Sequence, residues 1–138
     1  MNIMKPEDHK KAYEEHRAAL DWAINRGIEK SQRTIGLHIS RAIIELLSLY
    51  LHKQNIITVG FQINHRWFKS KKVGEKFSNF SQKEIIIEKL IKVELASESL
   101  VYGKQKTLEE IKSSLNLFLE AEKILLNLIG IENDRNTE

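Results

Sequence analysis

The sequence predicts an all-α protein, an antiparallel bundle of four to five helices with a long extended arm between the second and third helices. Apolar residues recur at helical spacing over most of the 138-residue chain. Two capping-box sequences mark helix starts in its second half. One proline and six glycines leave little turn chemistry for a fold of many strands.

The composition is that of one folded domain covering residues 1–138. Hydrophobic residues make up 41% and charged residues 30% of the chain, as in ordinary soluble proteins. The absence of cysteine excludes disulfides, Cys-ligated zinc and thiol catalysis. No signal-peptide pattern occurs and no apolar run approaches ~20 residues, so we expect a cytoplasmic protein without a membrane span.

The first helix is predicted from Pro6 to Ile28. Proline suits the first turn of a helix, and Glu7 and Asp8 complement the positive end of the helix dipole. Small residues recur along one face and would let a neighbouring helix approach closely: Ala12, Ala19, Ala23 and Gly27.

The second helix carries a stripe with the spacing of a buried face. Its members are Ile35, Ile39, Ala42, Ile43, Leu46, Leu47 and Tyr50. Such a helix is central to a bundle, or it faces both a core and a partner chain. A polar line runs opposite the stripe, and we interpret it as a solvated helix face. The alternative is a polar seam that faces a cleft or a dimer mate, and the line consists of His38, Arg41, Glu45, Ser48 and His52.

Helical periodicity disappears over residues 54–80. Apolar residues between Ile57 and Ile63 alternate with small or polar ones, which is strand periodicity, but no second segment offers a partner strand. We therefore predict an extended arm. Loops of this length in compact domains are usually functional or mobile.

Two further helices are predicted after the arm. The third opens at a capping box that starts at Ser81 and runs to about Val101. The fourth opens at a capping box that starts at Thr107 and ends before Gly130, which leaves a polar tail over 131–138.

The excess positive charge of the chain lies in one part of the arm. Of 22 cationic and 19 anionic residues, five and one lie within residues 64–76, which leaves 17 and 18 elsewhere. Such a concentration of charge indicates a polyanionic partner such as RNA. We expect at least one of Trp67 and Phe68 to be buried as an anchor of the arm. The candidate nucleic-acid-binding residues are His65, Arg66, Lys69, Lys71, Lys72 and Lys76.

Spacing alone indicates no enzyme and no cofactor. His9 and His16 share a helix face, but they lack the closer ligands that a metal site requires, so no metal is expected. No nucleophile–base pair, glycine-rich phosphate loop or paired-carboxylate motif occurs in the chain.

Two stretches of the chain resemble HEPN domains, which are small helical bundles of bacteria and archaea. The stretch RAIIELLSLYLHK at 41–53 is similar to the second helix of that family. The stretch SESLVYGKQKTLEEIKSSLNLFLEAEKILLNLIG is similar to its C-terminal part. His65 is similar to a histidine of the family's loop before helix three. The order of helices covers most of the chain.

The resemblance implies a dimer and, in many members, a ribonuclease with an Arg-x4–6-His motif. Here Ser97 and Tyr102 stand at the arginine and histidine positions. A serine cannot hold a phosphate as a guanidinium does, and a tyrosine with its ordinary pKa near 10 is a poor base at neutral pH. We therefore predict that the familial ribonuclease mechanism is absent. Arg33 and His38 match the motif literally, but at the front of helix two, and we interpret this as chance.

Three functions follow from these observations. The first is a non-catalytic HEPN-like module, a homodimer, that binds RNA or a nucleotide through the basic part of the arm. The second is a protein-interaction role, such as partner of a minimal nucleotidyltransferase in a toxin–antitoxin-type pair, through the apolar surface of helix two and the small-residue face of helix one. The third, ranked last, is an altered ribonuclease that uses Tyr102, Arg33 or His38.

Overall fold

The computed structural model describes the backbone of residues 3–136 and the side chains of residues 3–130, and it is helical, with no β-strand in this part of the chain. The all-helical prediction is confirmed. The α-helices are α1 (Pro6–Arg26), α2 (Gln32–Lys53), α3 (Lys83–Tyr102) and α4 (Leu108–Asn136). Short 3-10 helices are a connector (Ile28–Lys30), arm turn 1 (His65–Lys69) and arm turn 2 (Lys71–Lys76).

The start of α1 is stabilised as the sequence predicts. The Asp8 carboxylate accepts a hydrogen bond from the Lys5 backbone N–H at 2.9 Å, which satisfies a donor at the exposed helix start. The helix ends at Arg26, two residues before the predicted end, because Gly27 takes a φ of 121°. Glycine adopts this conformation without the steric cost that a side chain would add.

Helix α2 forms the centre of the bundle and contacts the other three α-helices. The predicted stripe from Ile35 to Tyr50 is buried, and so are Ile44 and Leu51, whereas Leu37 is 40% exposed. Among the described residues α2 alone is long and apolar enough to span a membrane by length and composition, but 72% of its apolar window is buried inside the bundle. Burial of this kind is typical of the core helix of a soluble protein.

A close approach of α2 and α3 fixes the front of the bundle. A Cβ built on Gly36 would lie 2.7 Å from the Leu100 Cβ, so only glycine allows the two backbones to come this near. The Ser97 hydroxyl donates a 2.7 Å hydrogen bond to the Gly36 carbonyl at the same point. Packing and this buried hydrogen bond therefore hold the two helices in one register.

The two predicted capping boxes have different outcomes. The box at Thr107 is confirmed, because the Glu110 N–H donates to the Thr107 hydroxyl at 3.2 Å and the Thr107 N–H donates to the Glu110 carboxylate at 3.4 Å. The prediction of a capping box at Ser81 is wrong. Gln82 is the N-cap of α3 with a φ of 60° and no side-chain cap, so the Ser81 hydroxyl lies one residue too early.

The end of α4 also differs from the prediction. The helix continues through Gly130 to Asn136, so most of the predicted tail over 131–138 is helical backbone and residues 137–138 lie outside the described part of the chain.

The arm is compact rather than extended. The alternating segment from Ile57 to Ile63 forms turns and coil, because no second strand lies beside it among the described residues. Both isoleucines are nevertheless buried, while Val59 between them is 57% exposed. The basic part of the arm then forms two consecutive 3-10 helices that pack on α3.

Candidate functional site

Apolar side chains fasten the basic part of the arm to the bundle. Phe68 is fully buried and Val73 is 1% exposed, so each arm turn contributes one residue to the core. Phe77 and Phe80 are also buried, and the Phe80 ring meets the Tyr50 ring of α2 edge-on at a centroid distance of 6.2 Å. Burial of a phenylalanine ring stabilises the folded arm by up to about 3 kcal/mol. The arm is therefore a fixed surface.

Local side-chain caps explain why this stretch forms two short helices. The Asn64 side chain accepts a 2.8 Å hydrogen bond from the Arg66 N–H and begins arm turn 1. The Ser70 hydroxyl accepts a 3.2 Å hydrogen bond from the Lys72 N–H and begins arm turn 2. Asparagine and serine favour turns and helix starts because they satisfy backbone donors in this way.

The two aromatic residues of the arm differ in burial. Phe68 is buried, which confirms the expectation that at least one of the two rings is an anchor. Trp67 is partly buried and packs against Phe61 at a centroid distance of 6.1 Å. The Lys76 ammonium lies 4.5 Å from the centroid of the Trp67 ring, in cation–π contact. Neither aromatic ring is presented freely to a ligand.

The cations of the arm lie outside, but they are not equivalent. Lys69 pairs with Glu98 of α3 at 3.1 Å, and both side chains are exposed, so solvent screens the pair and makes it weak. Lys76 covers Trp67. Arg66, Lys71 and Lys72 are exposed and have no carboxylate partner among the described residues. These three side chains, which we name the free arm cations, are the ones available to a ligand.

His65 occupies a different position from the other candidates. Its Nδ1 lies 2.8 Å from the carboxylate of Glu94, which is buried in α3 and also accepts a 2.7 Å hydrogen bond from the Ser40 hydroxyl. A carboxylate partner at Nδ1 fixes the orientation of the ring and leaves Nε2 for other contacts. His65 therefore connects arm turn 1 to α3 through this contact with Glu94.

The residues at the familial ribonuclease positions, Ser97 and Tyr102, differ in exposure, and neither is part of the basic arm. Ser97 is buried, and its hydroxyl is used in the hydrogen bond to the Gly36 carbonyl. Tyr102 is 81% exposed at the end of α3.

The literal motif match on α2 does not form a joint site. Arg33 donates a 2.9 Å hydrogen bond to the Gly103 carbonyl, whereas His38 contacts His16 of α1, so the two side chains have different neighbours.

The interpretation of the polar line of α2 as a solvated face is wrong. Three of its five members, His38, Glu45 and His52, contact histidines of α1, and Ser48 is buried. The His9 Nδ1 lies 2.7 Å from the Glu45 carboxylate, and the His9 ring stacks on His52 with centroids 5.2 Å apart. The Nδ1 atoms of His16 and His38 are 3.0 Å apart. We name His9, His16, His38, Glu45 and His52 the histidine seam.

The sequence contains a signal for the histidine seam that is visible only when the two helices are compared. Residues 9 and 16 are seven apart on α1, and residues 38, 45 and 52 are seven apart on α2. Seven residues are nearly two helical turns, so each set forms one line along its helix. Two such lines can satisfy each other's polar groups when the helices pack together.

Burial changes the pKa values of three histidines of the histidine seam. It lowers the pKa of His16 and of His38 below the usual histidine range. Burial also lowers the pKa of His52, and His9 beside it acts in the same direction. The Nε2 atoms of His9 and His52 are buried and have no hydrogen-bond partner among the described residues. No cluster of three or more metal-ligating side chains occurs in the part of the chain that the structure describes.

A second polar cluster joins α1 to α4. The buried Glu122 carboxylate accepts a hydrogen bond from the Tyr13 hydroxyl and a 2.8 Å hydrogen bond from the Arg17 Nε. The Arg17 guanidinium lies 5.6 Å from the centroid of the Phe118 ring. Burial, followed by the hydrogen bond to Glu122, raises the pKa of Tyr13. With both partners satisfied, this cluster is a structural contact.

The chain was also compared with known proteins. No protein-family model matches it, and no curated protein or solved structure matches it either.

Proposed function

We propose that this chain is a HEPN-like helical module that binds single-stranded RNA through the free arm cations. The observation that carries the proposal is the division of the arm into buried anchors and exposed cations. Phe68 and Val73 hold the two arm turns against the core, while Arg66, Lys71 and Lys72 project outward without a carboxylate partner among the described residues. Cations on a fixed surface suit phosphate contacts, because the backbone that carries them is already ordered before binding.

The distribution of charge supports a polyanion over simple solvation. Residues 64–76 contain five cations and one anion, whereas the rest of the chain contains 17 cations and 18 anions. Like charges held close together repel one another, and among the described residues Lys69 alone of the five arm cations has a carboxylate partner, Glu98. A strand of phosphates would relieve this repulsion and release its own counterions.

The packing of α1 against α2 supports the antiparallel part of the proposed HEPN-like fold. His9 of α1 meets Glu45 of α2, and His16, further along α1, meets His38, earlier on α2, which supports an antiparallel arrangement. The module is proposed to be cytoplasmic and to lack the familial ribonuclease mechanism. Use of the Ser97 hydroxyl inside the bundle supports the latter point, because it is not presented to a phosphate.

The proposal is tested by fluorescence anisotropy with a labelled single-stranded RNA of mixed sequence at about 50 mM salt, a concentration at which electrostatic binding is strong. The test variant replaces the three free arm cations with glutamine. The control variant replaces three exposed lysines outside the arm with glutamine, namely Lys10, Lys11 and Lys123. Both variants lose three charges, so net charge is matched.

We expect the wild type and the control variant to bind RNA and the test variant to lose about tenfold or more in affinity, since each phosphate contact adds to the electrostatic part of binding. Absence of RNA binding by the wild type at this salt concentration would overturn the proposal, as would equal affinities of the two variants. Electrophoresis of the same RNA after incubation tests the altered ribonuclease, and we expect intact RNA.

The second candidate function is assembly into a homodimer through the outward face of α3. The surfaces first expected to serve in assembly are largely used inside the bundle, because α2 is buried and α1 packs on it. Three apolar side chains of α3 remain exposed: Ile85 near its start, and Leu95 and Tyr102, which are seven residues apart and share a face. With exposed apolar groups towards both ends, α3 can pair with a second copy in antiparallel orientation, Ile85 meeting the end that carries Tyr102.

The solution mass tests the homodimer. We expect a dimer for the wild type and a monomer for a Leu95→Glu variant, because a buried unpaired carboxylate opposes association. A monomeric wild type would overturn the homodimer, and a stable complex with a co-expressed nucleotidyltransferase would instead favour a protein partner of that class.

A further inference from the structure

An open groove of about 860 Å³ lies between arm turn 2 and the first half of α3. Three apolar residues line it, Phe77, Ile87 and Ile91, and we name them its floor. Phe77 and Ile87 are buried parts of the core, so the floor is rigid. This volume is in the usual range for sites that bind a small molecule or one part of a larger ligand.

The rim of the groove has two chemically different sides. Lys71, one of the free arm cations, lies on the side of the arm. Three other rim residues have no side-chain partner among the described residues. Glu75 and Glu84 are carboxylates, which accept hydrogen bonds, and Asn79 is an amide. The remaining charged rim residues are already engaged: Lys92 pairs with Glu88 at 3.3 Å, and the Lys83 ammonium donates to the Phe77 carbonyl at 2.6 Å.

This combination matches the parts of one nucleotide. Lys71 supplies a cation for the phosphate, and the apolar floor supplies a surface for the face of a base. Carboxylates accept hydrogen bonds and cannot donate them when ionised, so Glu75 and Glu84 favour a base edge that carries an amino group. Adenine, cytosine and guanine carry such a group, whereas uracil presents two carbonyl oxygens around a single N–H.

We infer that this groove receives one unpaired base of the RNA strand that the arm binds, with a preference for bases that carry an exocyclic amino group over uracil. The inference rests on the proposed function, because the strand reaches the groove from the free arm cations. A base-paired strand is excluded from this role, since its base edges are already engaged in the duplex.

The groove can be filled by a substitution that replaces no cation. Gly74 lines it, and a Cβ built on Gly74 has the Lys83 Cε at 3.9 Å as its nearest neighbour, which is ordinary van der Waals contact. A Gly74→Leu side chain would therefore occupy the groove. Gly130 offers a matched control on α4, because no described residue lies within 4 Å of a Cβ built there.

The experiment compares binding of oligo(A) and oligo(U), each about 12 nucleotides long, a length within the range that single-strand-binding sites cover. Anisotropy is measured for the wild type, Gly74→Leu and Gly130→Leu, and circular dichroism with urea unfolding verifies that each variant is folded. We expect the wild type and Gly130→Leu to bind oligo(A) about tenfold more tightly than oligo(U), as the loss of one stacked base suggests. Gly74→Leu should bind oligo(A) only as well as oligo(U).

The outcomes separate this inference from the proposed function. Equal binding of oligo(A) and oligo(U) by the wild type, or oligo(A) binding that is unchanged in Gly74→Leu, would overturn the groove as a base site and leave binding by the arm intact. Failure of the wild type to bind either strand at low salt would overturn the proposed function and the inference with it.

Discussion

The histidine seam makes the stability of this protein depend on pH. Burial lowers the pKa values of His16, His38 and His52 in the folded protein, whereas in the unfolded chain a histidine titrates near its usual value of about 6.5. As the pH falls below about 6.5, the unfolded chain takes up protons that the folded protein resists. The free energy of unfolding must therefore fall on acidification, starting in the window just below pH 7.

The charged neighbours of the histidine seam modify this effect without reversing it. Glu45 and Glu15 oppose the lowered pKa of His16, while Arg41 reinforces it. For His38, both His16 and Arg41 act in the same direction as burial. The contact between the Nδ1 atoms of His16 and His38 also requires that one of them accept a hydrogen bond, which is impossible when both rings are protonated.

The loss in the free energy of unfolding has an upper limit set by the number of histidines with a lowered pKa, which are His16, His38 and His52. Each one that binds a proton only in the unfolded chain changes the free energy of unfolding by at most ~1.4 kcal/mol per pH unit. His16 and His38 are only half-buried, so solvent reduces their share. We therefore expect a loss of about 1–2 kcal/mol between pH 6.5 and pH 5.5, from three groups of which only His52 is buried.

Urea unfolding followed by circular dichroism at pH 7.5, 6.5 and 5.5 measures this loss. A His16→Gln/His38→Gln variant removes two of the three groups, and its free energy of unfolding should change less steeply with pH, whatever its absolute stability. A His65→Gln variant is the control, because His65 lies outside the histidine seam. Stability that is constant or rises from pH 7.5 to 5.5, or an equal slope in the double variant, would refute the reasoning.

Three further predictions concern packing and capping, each measured by urea unfolding. Phe68→Ala should cost about 3–5 kcal/mol, because the ring is fully buried; a cost below ~1 kcal/mol would show that the arm is not anchored there. Gly36→Ala should destabilise by about 1–3 kcal/mol through the clash with Leu100, whereas Gly130→Ala should be neutral or stabilising; equal effects would contradict the close approach of α2 and α3. Thr107→Ala should cost ~1 kcal/mol through loss of the cap, with Thr107→Ser restoring most of it; an unchanged stability would argue against the capping box.

The helices were predictable because their signals are local. The stripe of α2 and the capping box at Thr107 each occupy one segment of the chain, and both appear in the structure as predicted. The burial of at least one ring of the Trp67–Phe68 pair was predictable for a similar reason, since a long arm with few apolar residues has few possible anchors.

The features that were missed depend on contacts between segments. The alternation from Ile57 to Ile63 resembles a strand, but a strand needs a partner, and without one the backbone forms turns. The polar line of α2 resembles a solvated face until α1 brings His9 and His16 against it. Gln82 adopts a left-handed conformation that moves the start of α3 past Ser81, and no local pattern indicated that conformation.

The candidate site was predictable in part. Charge along the sequence identified the basic arm, but it did not distinguish the free arm cations from the two that are engaged. Lys69 is separated from Glu98 by 29 positions in the chain, and Lys76 reaches Trp67 only because the two arm turns fold onto each other. The groove beside Lys71 requires Phe77 and Ile91 to meet, which the sequence alone does not show.

The salt dependence of RNA binding tests the central claim most directly. If the three free arm cations contact phosphates, the plot of log affinity against log salt concentration should have a slope of about −2. If Lys69 and Lys76 also exchange their present contacts for phosphates, the slope should be about −3.5. Glutamine at Arg66, Lys71 and Lys72 should reduce the slope by about 2 units. A slope near zero for the wild type, or an unchanged slope in the variant, would contradict the proposal that this arm is a phosphate-binding surface.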